Sequence, residues 1–184
     1  MRFEILVIAI LGFTIIASTA SQAFAAVDYF LKIDGVDGES KDDKHKGEID
    51  IMSWSFGASQ SGSMVMGGGG GAGKVVMQDF HFTKSIDKAS PKLFEALATG
   101  AHLKEAKLVL RSPGDSQAEY MVITLSDVLV SSYSTSGASG GDRPMEEVSL
   151  NFAKITMSYM ELDASGRAGA SVNFGWDVKA NKKV

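Results

Sequence analysis

Hydrophobic and polar residues alternate with a period of two along most of the chain after residue 26, which is typical of β-strands. The pattern predicts roughly eight strands, joined by turns that are too short for parallel crossovers. The clearest predicted strands are "VDYFLKID" (27–34), "EIDIMSWSFG" (48–57), "KVVMQDFHFTK" (74–84), "EAKLVLRS" (105–112), "EYMVITLSDVLVSSY" (119–133), "EVSLNFAKITMSYMEL" (147–162) and "ASVNFGWDVK" (170–179). We therefore expect a mainly β fold, either an antiparallel barrel or a two-sheet sandwich.

Two of these strands depart from simple alternation. The strand at 48–57 carries apolar residues on both faces, so we expect core or a neighbouring subunit on each side of it. In the strand at 147–162 the apolar positions change face near Ala153 and Lys154. This slip predicts a β-bulge or a strand that is buried on both faces.

One helix is predicted in "KASPKLFEALATGAH". Ser90 is the expected N-cap, Pro91 suits the first helical position, and Gly100 ends the helix. The helix carries a short apolar stripe that we expect to pack in the core: Leu93, Phe94 and Leu97.

The first 25 residues differ in composition from the rest. An apolar run of 13 residues from Ile5 to Ala17 is followed by Ala23-Phe24-Ala25, an A-x-A cleavage pattern. We predict a signal peptide at 1–25 and a mature domain at 26–184, which would make the protein secreted. An uncleaved anchor or a misassigned start remains an alternative reading.

Composition excludes several classes of function. The chain has 184 residues, a formal net charge of -4 and no cysteine. The mild acidity argues against binding of nucleic acid, and the lack of cysteine removes disulfides, thiolate catalysis and thiolate metal sites. We expect neither nucleic acid nor a membrane as a partner of the mature domain.

A glycine tract between Gly68 and Lys74 matches the spacing G-x-x-x-x-G-K of phosphate-binding loops. The match is formal, because Val75 stands where the Mg²⁺ ligand should be and a strand follows where a helix should begin. We therefore predict no nucleotide site.

The segment from Gly57 to Gly73 is too long for an ordinary turn. Its apolar triplet Met64-Val65-Met66 predicts an arm that becomes ordered on contact with another subunit. A plain disordered loop is the alternative. The arm residues that we expect to contact a neighbour are Ser61, Met64, Val65, Met66, Gly67, Gly68, Gly69, Gly70, Gly71 and Gly73.

No catalytic, metal or cofactor site is predicted. His45, His81 and His102 are isolated in sequence, which suits surface or packing roles better than metal ligation. Glu146 and Glu147 resemble a solvated strand edge more than a pair of catalytic carboxylates. We therefore expect a protein that is not an enzyme.

Several stretches, taken in order, resemble the Hcp (haemolysin co-regulated protein) family of type VI secretion. They are "FLKIDGVDGES", "HKGEIDIMSWSFG", "SGSM" with the glycine tract, "FTKSIDKASPKLFEALATG", "ITLSDVLVSSY", "RPMEEVSLNFAKI" and "GWDVK". Together they cover essentially the whole chain from Val27 onwards.

The resemblance implies a two-sheet antiparallel β-barrel with one flanking α-helix. It also implies hexameric rings that stack into the inner tube of the secretion machine, carry effector proteins and are themselves secreted. The implied partners are other copies of the chain, the spike protein, the sheath and effectors. The glycine-rich arm and the strand at 146–155 are the structural segments that the resemblance carries over.

The N-terminal segment departs from this family pattern. Hcp proteins are ordinarily cytoplasmic before secretion, whereas a signal peptide would direct this chain elsewhere. Either the extension does not work as a signal, or the protein is an exported Hcp-like binding module that acts outside an assembled tube.

Overall fold

The structure is a computed structural model that describes residues 27–60, 74–113, 117–141, 143–163 and 166–184. The predicted signal peptide and the predicted arm lie outside these residues. The described chain forms one helix, α1 (Ser90–Thr99), and the following strands: β1 (Asp28–Ile33), β2 (Ile49–Asp50), β3 (Ser53–Ser55), β4 (Ala58–Gln60), β5 (Val75–Met77), β6 (Phe80–Ser85), β7 (His102–Arg111), β8 (Glu119–Ser136), β9 (Met145–Leu162), β10 (Ala168–Asp177) and β11 (Lys182–Lys183).

The strands close into a barrel, and every strand pairing among them is antiparallel. The order β2-β1-β7-β8-β9 continues through β6 to β3. Since β2 and β3 are consecutive in the chain, the residues between them join the two edges of this sheet. The Ile51 amide donates to the Tyr29 carbonyl at 3.2 Å, and the next amide, of Met52, donates to the Thr83 carbonyl at 2.8 Å. The predicted antiparallel β-barrel is confirmed.

The long strand β9 pairs with two different strands on the same edge. Its first half, 145–150, pairs with β6, and its second half, 154–162, pairs with β10. β8 pairs with β9 along nearly its whole length. β10 and β11 therefore extend the sheet beyond the closed ring of strands.

The predicted strand at 48–57 is divided into β2, β3 and the start of β4. The division follows from the barrel closure, since the backbone changes its partner from β1 to β6 between Ile51 and Met52. Ile49 and Ile51 are buried, while Met52 is 59% exposed. Trp54 and Phe56, on the same predicted face as Met52, pack against the core. Apolar residues of both predicted faces are therefore covered by the described chain, with Met52 as the exception.

The predicted change of face in β9 is confirmed. Phe152 and Ile155 are both buried, although they are three residues apart. The ladder with β8 omits Ala153 and Asp127, and Asp127 has a left-handed φ of 53°. Both strands thus shift phase together, which keeps apolar side chains inside the barrel on either side of the irregularity.

Helix α1 packs against β8 and ends as predicted, with Gly100 in a left-handed conformation at φ 64°. Its N-cap is Ala89, and the prediction of Ser90 was wrong because that side chain turns inward and accepts from the Asp87 amide at 3.0 Å. Leu93 is fully buried, but Phe94 is 54% exposed, so the predicted core stripe is wrong for Phe94. No helix among the described residues is long and apolar enough to span a membrane.

The core fills the barrel and the space beneath α1. Its largest fully buried apolar side chains are Leu31, Ile49, Phe80, Phe82, Leu93, Leu108, Ile123, Leu125, Leu150 and Ile155.

Candidate assembly surfaces

The predicted inter-subunit arm lies outside the described residues, but the structure describes its base. β4 and β5 pair with each other as a ribbon that is separate from the main sheet. The Gln78 amide donates to the Gly57 carbonyl at 2.8 Å where the ribbon leaves the barrel. Val76, in the middle of the ribbon, is 59% exposed. The ribbon thus ends at Gln60 and Lys74, the two described residues that flank the segment 61–73, and both are exposed.

Lys74 is exposed and leads directly into β5. The predicted strand after the glycine tract is therefore confirmed. Because a strand follows, the tract does not open onto a helix N-terminus, the feature that holds phosphate in nucleotide-binding loops.

An uncovered apolar surface lies on the part of the sheet that extends beyond the barrel. We call it the open face and define it as Tyr159, Val172 and Phe174, which are 47%, 68% and 43% exposed. Tyr159 pairs with Val172, and Met157 pairs with Phe174. Paired residues share a face of a sheet, so the open face can be followed from strand to strand.

The open face continues the side of the sheet that forms the core. Met157 also pairs with Ile123, which is fully buried inside the barrel. Phe174 therefore lies on the same side of the sheet as Ile123, and it stacks on Trp176 with ring centroids 6.4 Å apart. The sequence analysis missed this surface, although the alternation of Val172, Phe174 and Trp176 was its signal.

A fully buried ion pair lies where β6, β9 and α1 meet. Lys84 and Glu146 are opposite each other in the ladder, and Lys84 Nζ donates to Glu146 Oε2 at 2.8 Å. Lys84 Nζ also lies 2.7 Å from Asp87 Oδ1 and 3.2 Å from Ser90 Oγ. The Tyr133 hydroxyl donates to Glu146 Oε1. We call these five residues the charge cluster.

The prediction of a solvated edge at Glu146 was wrong. Glu146 is 1% exposed because the register of β9 against β6 sets it opposite Lys84, beneath the helix. Glu147, its neighbour, is exposed as predicted. The sequence signal that could have identified the pair was Lys84, a lysine on the same face of β6 as Phe80 and Phe82.

Local contacts shift the ionisation of two members of the charge cluster. Burial opposes the ionisation of Glu146, but hydrogen bonds from Lys84 and Tyr133 outweigh it and hold its pKa below the ordinary value. Burial, together with the hydrogen bond to Glu146, raises the pKa of Tyr133 to about 12. At neutral pH the cluster therefore contains an ionised glutamate and a neutral tyrosine.

The three histidines have the surface or packing roles that the sequence predicted. His45 is buried and stacks on Phe30 with ring centroids 4.1 Å apart. His81 Nδ1 lies 2.6 Å from the Ser149 hydroxyl, and His102 is exposed. In the part of the chain that the structure describes, no group of three histidine or carboxylate side chains could hold a metal ion.

Comparisons with known proteins agree on one family. The family described as "Type VI secretion system effector, Hcp" matches residues 30–159. Protein hcp1 of Pseudomonas aeruginosa (strain PAO1) is 53% identical over 158 residues, which are 85% of this chain and 98% of that protein.

Solved structures give the same result. A type six secretion system protein superposes with a TM-score of 0.82 at 36% identity, and the match covers 86% of this chain and all (100%) of that one. Hcp1 from Salmonella typhimurium has a TM-score of 0.72 at 39% identity, covering 86% of this chain and 99% of that one.

Proposed function

Because the chain belongs to the Hcp family of type VI secretion tube proteins, we propose that it assembles into hexameric rings which stack as the inner tube. We further propose that the rings carry effector proteins and that the protein is itself secreted. Its partners would be other copies of the chain, the spike protein, the sheath and effectors. The role is structural rather than catalytic.

The open face is the observation that supports self-association. Tyr159, Val172 and Phe174 continue the core side of the sheet, yet no described part of the chain covers them. Complete burial of a large apolar side chain is worth about 1.5–3 kcal/mol, and these three, which are 43–68% exposed, forgo part of that energy. A second copy of the chain would recover this energy.

A ring requires that the open face meets a different surface of the next copy. Such a head-to-tail contact closes when the rotation between copies divides a full turn evenly, which gives a hexamer at one sixth of a turn. A stable contact of this kind buries more than about 1,000 Å². The open face would contribute the apolar centre of that contact.

The second candidate function is an exported Hcp-like binding module that acts outside an assembled tube. It is favoured by the apolar segment from Ile5 to Ala17 and by the A-x-A pattern that ends at Ala25. A cleaved signal would carry the protein out of the cytoplasm by another route.

Light scattering after size-exclusion chromatography tests the first proposal, with protein purified after expression of the full chain. At high micromolar concentration we expect a particle of six subunit masses. A monomer at that concentration would contradict the ring and favour the binding module.

The intact mass of the same material tests the export route. A chain that starts at Ala26 would support a cleaved signal. A chain that starts at Met1 would rule out cleavage.

A further inference from the structure

A polar pocket of about 410 Å³ lies where the loop between β1 and β2 folds back over the barrel. We call it the loop pocket. It is lined by residues of the loop, by residues of β1 and β7, and by Glu119 at the start of β8. Its volume is within the roughly 300–1,000 Å³ that is typical of sites for small molecules. None of the three residues that define the open face belongs to its lining.

The loop that covers the pocket is held in place by contacts within one chain. Gly38 is required where the loop closes, since a Cβ there would lie 2.2 Å from the Glu48 carbonyl oxygen. Arg111 of β7 donates to Asp42 of the loop at 2.6 Å and to Asp28 of β1 at 2.8 Å. These contacts fix the loop against both strands, so the fold of the single chain forms the pocket.

His45 is the buried polar residue of the loop pocket, and it is only 4% exposed. Its Nδ1 lies 2.9 Å from Glu48 Oε2, and because a carboxylate only accepts, Nδ1 carries the hydrogen of this bond. In the neutral ring Nε2 then has a free lone pair. Within the described chain this buried nitrogen has no hydrogen-bond partner. Since a buried acceptor without a partner is unfavourable, the site calls for a donor.

A second acceptor faces the same point. Glu119 Oε1 lies 3.6 Å from His45 Nε2, which is too far for a hydrogen bond. One donor group between these two atoms could reach both at ordinary hydrogen-bond lengths of roughly 2.8–3.0 Å. The Glu119 side chain is 37% exposed, and exposed side chains change rotamer readily, so it can move to admit such a group. A primary ammonium group has three donors and a positive charge, which suits both acceptors.

The loop pocket also contains positive charge that has no partner. Lys32 and Lys107 are directly opposite each other in the ladder between β1 and β7, an unfavourable arrangement for like charges. Two further lysines of the lining are Lys44 and Lys104. Within the described chain, none of the four forms an ion pair. A carboxylate beside them would supply the missing negative charge and charge-assisted hydrogen bonds.

We propose that the loop pocket binds a small zwitterion, a molecule with both an ammonium group and a carboxylate, such as a dipeptide. The ammonium group donates to His45 Nε2 and Glu119 Oε1, and the carboxylate pairs with Lys32 and Lys107. A simple anion would meet the Glu119 carboxylate, and a simple cation would leave the lysines without partners. Only a ligand with both charges satisfies the whole lining. This binding function goes beyond the proposed tube and does not depend on it.

Saturation-transfer NMR tests the proposal, with protein purified after expression of the full chain and with dialanine as the probe. The matched probes are N-acetyl-dialanine, which lacks the ammonium group, and dialanine amide, which lacks the carboxylate. We expect dialanine to bind and each matched probe to bind at least about tenfold more weakly, because hydrogen bonds to charged groups contribute that much. No saturation transfer to dialanine, or equal binding of the three probes, would overturn the proposal.

A variant of Glu119 assigns the ammonium group to its place in the pocket. Glu119→Gln removes the negative charge but keeps the size of the side chain, so we expect dialanine to bind at least about tenfold more weakly. Glu95→Gln, at an exposed glutamate on α1, is the matched control and should bind dialanine as the unaltered protein does. Equal affinities of these two variants would contradict the proposed role of Glu119.

A double variant tests the site of the carboxylate. Lys32→Met with Lys107→Met removes the two opposed lysines, so we expect dialanine binding to fall at least about tenfold. Lys88→Met with Lys92→Met, at exposed lysines outside the pocket, is the matched control. Circular dichroism checks the fold, and Lys107→Met alone replaces the double variant if that protein is unfolded. Dialanine binding that survives the loss of these lysines would overturn the assignment.

The outcomes distinguish this proposal from the ring. Six-subunit particles that bind no dialanine contradict only the zwitterion site. A monomer that binds dialanine contradicts only the ring.

Discussion

The charge cluster and the open face reverse the usual placement of residue types. Lys84 and Glu146 are charged and fully buried, whereas Phe174 and Val172 are apolar and exposed. Charged residues are almost never fully buried without partners, and in the charge cluster each charge has several. The open face has no such compensation within the described chain.

The difference shows which region is complete in one subunit. In the charge cluster, Lys84 Nζ donates to acceptors on β6, β9 and α1, and Tyr133 of β8 donates to Glu146, so the fold of one chain satisfies both charges. The open face extends past the last strand of the barrel, and no described part of the chain covers it. The first region should thus govern folding of the subunit, and the second should govern assembly.

The largest expected effect on the stability of the subunit comes from Lys84→Met. This change leaves Glu146 buried without its cation, so we expect the free energy of unfolding to fall by about 3–5 kcal/mol. Denaturant unfolding at a fixed protein concentration measures it.

The double variant Lys84→Met with Glu146→Leu should recover part of that loss, since it removes both charges. The exposed pair Lys92 and Glu95 is the matched control, because its members are 61% exposed. Lys92→Met should leave the free energy of unfolding unchanged. An equally small effect at Lys84 would contradict the importance of the buried pair.

The next largest effect is expected on the assembly of the ring, from a charge in the open face. Phe174→Asp places a charge in the centre of the open face, so the dissociation constant of the ring should rise at least about hundredfold. Val184→Asp is the control, since Val184 is also exposed but lies over Gly175, on the opposite side of the sheet. Light scattering over a dilution series measures both. A ring that tolerates Phe174→Asp would assign the ring contact to another surface.

A smaller effect is expected from Tyr133→Phe, which removes a hydrogen bond to the ionised Glu146. We expect the free energy of unfolding at neutral pH to fall by about 1–2 kcal/mol. The raised pKa of Tyr133 stabilises the unaltered protein below pH 10, and this contribution is lost as the pH rises towards about 12. The difference between the two proteins should therefore shrink over that interval.

The free energy of unfolding at acidic pH tests the ionisation of Glu146. Its lowered pKa means that the stabilisation is present above pH 4.5, the ordinary value for glutamate, and is lost as the pH falls through the folded pKa. A pH profile without an acid loss would contradict an ionised Glu146.

The smallest effect is expected from Phe94→Ala. Phe94 is exposed, and its ring meets the edge of Tyr133 with centroids 5.4 Å apart. Loss of that contact should cost about 0.5–1 kcal/mol in unfolding free energy and leave the ring intact. If Phe94→Ala weakens ring assembly as strongly as Phe174→Asp does, the ring contact would not be specific to the open face.

Local patterns in the sequence predict much of the fold. The change of face in β9, the helix stop at Gly100 and the strand after the glycine tract all follow from near neighbours in the chain, and the structure confirms each one. The predicted arm residues, from Ser61 to Gly73, and the signal peptide at 1–25 remain predictions.

The errors arise where distant segments meet. Ser90 resembles an N-cap until the helix is placed over Lys84, and Glu146 resembles a solvated residue until β9 is set in register against β6. Phe94 has helical spacing that suits the core, but it contacts Tyr133 of β8 and stays 54% exposed.

The sequence by itself thus determined the strands, the helix and the antiparallel class, because these depend on periodicity and on turn residues. Only the tertiary structure decided which charges are buried and which apolar residues are left uncovered. These features depend on pairing between distant residues, such as Lys84 and Glu146, which are 62 positions apart. No local pattern records such a register.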